Sequence, residues 1–214
     1  MNRSHPHHIE GSLKRYLEIE TLLNAFFASF DYCLSRCIAP ELRRNGNQPV
    51  AACCTKKYYS AHDLAHPAFD LLKQERERRF GRPEDFSWGN PVSPCEYHNP
   101  ERGCLLSTHK SPVCLSFICP QGIDFLRSRY GIYGYDFSGV YYALEWILTG
   151  DLPENGYLDF TAGILEMTDK VNRIKIPSDE NRIATGERPV RAPARPTRNR
   201  KNKCSANICG AFRP

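Results

Sequence analysis

Residues 12–37, SLKRYLEIETLLNAFFASFDYCLSRC, decide the fold class. Leu13, Tyr16, Leu17, Ile19, Leu22, Leu23, Phe26, Phe27, Phe30 and Leu34 recur at steps of three and four residues. That spacing winds one apolar stripe along a helix and gives a strand no consistent face. Ser12 stands where an N-cap belongs, and Pro40 removes a donor where the pattern stops. The stretch therefore predicts one long helix over 12–37. At its C-terminal end Cys33 and Cys37 are four residues apart, which puts both thiols on one face.

Downstream, a polar loop over 43–48 leads to Cys53-Cys54. A second helix is expected from Ser60, with Ser60 and Asp63 as a capping box, Pro67 as a restart and Gly81 as the stop. Residues 82–119 are rich in Pro, Gly, Asn and Ser and read as irregular chain. Helical patterns return at 120–130, 138–148 and 158–174, with Asp136 or Ser138 as cap of the middle one and Gly150 as its stop. The expected architecture is mainly α: helices packed around a cysteine-rich, loop-dominated metal site, with a disordered basic C-terminal tail. Residues 1–11 form a flexible N-terminus, 12–176 a helical cysteine-cluster domain, and 177–214 a Pro/Arg-rich tail without a core of its own.

Charge divides the chain in the same place. Residues 1–181 carry 20 Lys and Arg against 23 Asp and Glu, whereas 182–214 carry 9 against the single Glu187. A basic tail of this kind attracts nucleic acid or another acidic partner by counterion release, and residues 182–203 are the candidate segment. Met1 to Gly11 has no apolar core of an export signal, and no run approaches the eighteen apolar residues of a membrane span. The expected location is the cytoplasm, away from membranes, where thiols stay reduced.

In that compartment clustered cysteines read as metal ligands. Eight of the ten fall between 33 and 119: Cys33, Cys37, Cys53, Cys54, Cys95, Cys104, Cys114 and Cys119. Thiolates favour zinc and iron–sulfur clusters. Cys33-x3-Cys37 and Cys114-x4-Cys119 could close a tetrahedral zinc site. Adjacent Cys53 and Cys54 suit two ions or two irons better than one. Eight thiolates also match two clusters of the 4Fe-4S type at four each, or one cluster and one zinc. The spacing departs from the ferredoxin run, and Pro40 stands where a radical C-x3-C-x2-C motif would have its third cysteine.

The segment Gly103-Cys104-Leu105-Leu106 through Lys110-Ser111-Pro112-Val113-Cys114-Leu115-Ser116-Phe117 resembles the GCxIYxxRPxVCRxF ending of the YkgJ-type cysteine-cluster proteins, a zinc- or iron-chelating family. Cys33, Cys37 and Cys53-Cys54 would then stand for its upstream C-x2-C-x2-CC motif. The resemblance spans residues 33 to about 120 and implies a metal held by these cysteines, with zinc and iron both open.

Other features carry less. His62 and His66 are spaced for one helix face, and His98 and His109 lie among the cysteines as second-line ligands. Cys54 beside Lys56, Lys57 and His62 is the best candidate for a reactive thiol. Tyr130, Tyr133, Tyr135, Phe137, Tyr141, Tyr142 and Trp146 read as helix packing. Cys204 and Cys209 lie in the tail. No G-x-S-x-G, phosphate loop or H-E-x-x-H occurs. The expected function is an intracellular metal-binding protein carrying an iron–sulfur cluster, or zinc, in electron transfer or support of a partner enzyme. One alternative is a zinc-stabilised module binding nucleic acid or an acidic partner through 182–203. Another is a cluster-dependent redox or methyl-transfer enzyme.

Overall fold

A computed structural model describes residues 6–48, 57–86, 95–99 and 101–174. The chain divides after Lys175, and every described residue belongs to the first unit, 1–175. The basic segment 182–203, Cys204 and Cys209 lie outside the described residues, as do Cys53 and Cys54.

The first unit is mainly helical. Helix α1 spans Pro6–Ser29 and is the axis of the fold. Leu13, Tyr16, Ile19, Leu23, Phe26 and Phe30 are its buried stripe, and it packs against α3 (Pro67–Phe80), α6 (Phe137–Thr149) and α7 (Glu154–Arg173). Each of these large apolar side chains contributes about 1.5–3 kcal/mol by leaving water. The helix begins six residues before Ser12, whose hydroxyl bonds back to the His8 carbonyl at 3.0 Å and caps nothing. It also ends earlier than the apolar pattern. After Ser29 the chain breaks and re-enters as a single π-helical segment, Cys33–Ile38, continuous with α2 (Ala39–Arg44). Pro40 sits in the first turn of α2, where its missing N–H is harmless, so it does not end the helical run.

Ser60 starts no helix; a 3-10 turn at Tyr58–Ser60 gives way to extended chain. Helix α3 begins at Pro67 with His66 as N-cap, its Nδ1 accepting the Ala68 N–H at 3.2 Å. Between α3 and α4 (Pro112–Ser116) lies a two-stranded antiparallel hairpin, β1 (His98–Asn99) and β2 (Gly103–Cys104), with His98 opposite Cys104. Helix α5 (Pro120–Tyr130) and α6 match the sequence expectation, Asp136 capping α6 through the Gly139 N–H at 2.7 Å. The aromatic run is only partly core: Tyr130, Tyr135 and Tyr141 are buried, whereas Tyr133, Tyr142 and Trp146 are exposed. Among the described residues no helix is long and apolar enough to cross a membrane.

Candidate metal centre

The six described cysteines are thiols, not disulfides, and they fall into two neighbourhoods. The first gathers Cys33, Cys37 and Cys119. In the π segment the Ala39 N–H reaches back five residues to the Leu34 carbonyl. That wider turn leaves residues four apart nearly one above the other. Such insertions recur at functional sites. Tyr32, next to this turn, lies against Phe125 of α5 with ring centroids 4.8 Å apart. The N-cap of α5 is Cys119, whose thiol accepts the Gly122 N–H at 3.4 Å. Gly122 permits the close approach. A Cβ there would sit 2.7 Å from Ile118 Cγ2 and 3.6 Å from both Cys119 Sγ and Tyr32 Cδ1. Tyr32 is thus the hub of the group: burial raises its phenol pKa, and the charges of Cys119, Cys37 and Cys33 raise it further.

The second neighbourhood holds Cys95, Cys104 and Cys114. They surround a small core of Tyr59, Tyr97 and Leu106, against which Cys95 and Cys114 pack. The hairpin brings Cys104 back toward Cys95, whose carbonyl accepts the His98 N–H at 3.0 Å. Helix α4 delivers Cys114, with Ser111 Oγ capping its amide at 3.2 Å. Burial pushes the Cys95 thiol up to about 11; the Tyr97 N–H opposes this, and the charges of Cys104 and Cys114 add to it. Burial also raises the Cys114 thiol. A bound cation would reverse these penalties by favouring thiolate.

Residues 57–59 clamp this second site. Lys57 pairs with Glu96, the neighbour of Cys95, and Ser111 donates its hydroxyl to the Tyr58 carbonyl. Arg76, 4% exposed, donates to the Tyr59 carbonyl at 2.7 Å and lies over the Tyr59 and Tyr97 rings.

The loop that joins Cys104 to Cys114 is fixed from below by α1. Glu20, 1% exposed, accepts the Thr108 hydroxyl at 3.0 Å and the His109 and Lys110 N–H groups at 2.8 and 3.1 Å. Tyr16 adds a bond to the Lys110 carbonyl at 2.8 Å. On the opposite side Glu145, fully buried, accepts the Asp63 N–H at 2.9 Å and the Tyr141 hydroxyl at 2.6 Å. Sequence reasoning missed Glu20, Arg76 and Glu145, although each occupies a position on its helix's apolar stripe.

The histidines divide. His62 stacks on Phe69 at 4.4 Å and His66 caps α3, so they do not form a pair of ligands. His109 is buried with φ +59, and its principal electrostatic neighbours are Arg79, Glu75, Arg76 and Arg78, which place it against α3. His98 stands across the hairpin from Cys104. Cys114 lies within α4 and Cys119 is the N-cap of α5. Among the described residues no three His, Cys, Asp or Glu side chains converge tightly enough to hold an ion as they stand. The thiols are neighbours, not a closed coordination sphere. No family model, curated protein or solved structure matches this chain.

Proposed function

We propose that this protein binds metal through Cys33, Cys37, Cys53, Cys54, Cys95, Cys104, Cys114 and Cys119. The metal is an iron–sulfur cluster, with zinc as the alternative. The observation that supports the reading is that Cys95 and Cys114 pack against one small core, with Cys104 on the hairpin strand beside it. The resemblance to the YkgJ-type cysteine-cluster proteins points the same way. The donor set is of the right kind: soft thiolates. Iron is preferred because eight thiolates and an adjacent pair suit clusters better than one tetrahedral zinc.

A cluster supplies one-electron chemistry, and the role that follows is electron transfer or support of a partner protein. The protein's own contribution would be to hold partly buried ligands in place and to set the field around Cys114 through the buried Arg76. A second reading rests on charge: the eight Lys and Arg of residues 182–203 would bind nucleic acid beside a zinc-stabilised fold. Anaerobic purification, a visible spectrum and iron, sulfide and zinc analysis separate the two. Brown protein with matching iron and sulfide supports the cluster. Colourless protein with stoichiometric zinc, and salt-sensitive binding lost on removing the tail, supports the module.

A further inference from the structure

A cavity of about 350 Å³ lies where the start of α1, the end of α6 and the start of α7 meet. That is the small end of the range for ligand pockets. Ile147 and Leu152 give it an apolar floor, and none of the cysteines lines it. Two glycines, Gly11 and Gly150, form parts of its wall, for different reasons. Gly150 ends α6 in the left-handed region at φ +84, and a Cβ there would strike His8 Cε1 at 2.3 Å and Ser12 Oγ at 2.7 Å. Turn and contact both demand a glycine. Gly11 meets no such demand. It lies inside α1, where glycine weakens a helix relative to alanine, and a Cβ built on it finds nothing within 4 Å. Packing gives no reason for the missing side chain; the cavity that Gly11 lines supplies one.

We propose that this cavity binds a small amphipathic anion: a carboxylate or phosphate ester group held by Arg15, on an apolar body laid against Ile147 and Leu152. The Arg15 guanidinium lies over the Tyr157 ring, 5.1 Å from its centroid, and Tyr157 is itself fixed by donating its hydroxyl to Glu18 at 3.1 Å. A guanidinium held flat in this way presents a fork that matches planar oxyanions. His8 brings an imidazole to the same wall, and the lining residues include no Asp or Glu to repel a negative group. Glu154 shows the preference from within the chain: its carboxylate meets Arg15 Nη2 at 2.7 Å. That pair is 46% and 59% exposed, so it is weak, and an incoming oxyanion can share the fork or displace Glu154. Glu154 is thus the ligand's internal competitor. The site stands apart from the metal reading and does not depend on it.

The test uses the full-length protein and isothermal titration calorimetry with phenyl phosphate, benzoate and inorganic phosphate. Phenyl phosphate or benzoate is expected to bind once per chain, about tenfold or more tightly than inorganic phosphate, which lacks the apolar body. The tighter of the two identifies the head group. Arg15→Gln should weaken that binding about tenfold or more, and Glu154→Gln should tighten it about threefold by removing the competing carboxylate. Gly11→Leu separates ligand binding from stability. It should raise Tm by about 2–4 °C through helix propensity and yet abolish binding by filling the cavity. Gly11→Ala should raise Tm as well and leave binding within about twofold. Gly11 and Arg15 are both exposed, so neither substitution removes a core contact. Failure of both organic probes to bind overturns the proposal, as does binding that survives Gly11→Leu or Arg15→Gln unchanged. Inorganic phosphate binding as tightly as phenyl phosphate, with no response to Gly11→Leu, means a surface cation only and overturns it too.

Discussion

Replacing Glu20 by alanine should be among the most damaging single changes in this protein. The carboxylate holds three donors from one loop, at 3.0, 2.8 and 3.1 Å. Two of them are backbone N–H groups that have no other way to be satisfied without moving. A buried donor left unpaired costs about 1–3 kcal/mol. Three would give about 3–9, but Thr108 and Lys110 are only half-buried and can turn to water. Removing the charge also gives something back, since burial raises the Glu20 pKa despite these bonds. The expected net loss is about 3–4 kcal/mol, a large share of a domain's usual 5–15. Urea unfolding of metal-free protein, followed by circular dichroism, measures it. The sign of the pH dependence follows from the same group. A folded pKa above the unfolded one gives stability that is complete below the unfolded carboxyl pKa and is lost as pH rises through the folded one. Glu20→Gln should remove that slope from the ordinary carboxyl range upward. A loss below about 1 kcal/mol for Glu20→Ala, or a wild-type slope retained in Glu20→Gln, would refute the reasoning.

Gly150 closes α6 with φ +84, and a Cβ there would lie 2.3 Å from His8 Cε1. Gly150→Ala should lower stability by about 1–3 kcal/mol, seen as a fall in Tm of roughly 4–10 °C. Arg76→Ala should cost about 1–3 kcal/mol, because it leaves the Tyr59 carbonyl without its buried donor. Hydrogen exchange should speed up first around Tyr59 and Tyr97. Tyr133, 74% exposed, should tolerate serine within about 0.5 kcal/mol. By contrast, Tyr135→Phe should cost about 1 kcal/mol by leaving the buried Ser116 carbonyl without its donor. Chemical denaturation of both variants checks the contrast.

The helical order was legible where one side of each element meets a core. Leu13 to Phe30 announce α1, and Asp136 and Gly150 bracket α6 as their chemistry requires. Helix starts were less legible because Ser12 can bond backward to His8 as well as cap, and Ser60 can close a 3-10 turn as well as open a helix. The buried polar residues were readable in principle. Glu20 lies four residues after Tyr16, Arg76 four after Leu72 and Glu145 four after Tyr141, so each sits in an apolar stripe. A charge in such a place has a specific partner across the core. Spacing marks the cysteines as candidates but not their surroundings: Cys114 and Cys119 are five residues apart, yet one lies in α4 and the other caps α5. The exposure of Tyr142 and Trp146 was hidden for a related reason: α6 packs one side on α1 and α4, and the aromatic spacing covers more than that side.

The most direct test of the central claim is metal content in protein purified without oxygen, measured together with its visible spectrum and its count of reactive thiols. The account predicts iron with matching sulfide, or stoichiometric zinc, and a thiol count that rises when the metal is chelated. Protein that carries no metal and presents all its cysteines to a thiol reagent from the start would contradict it.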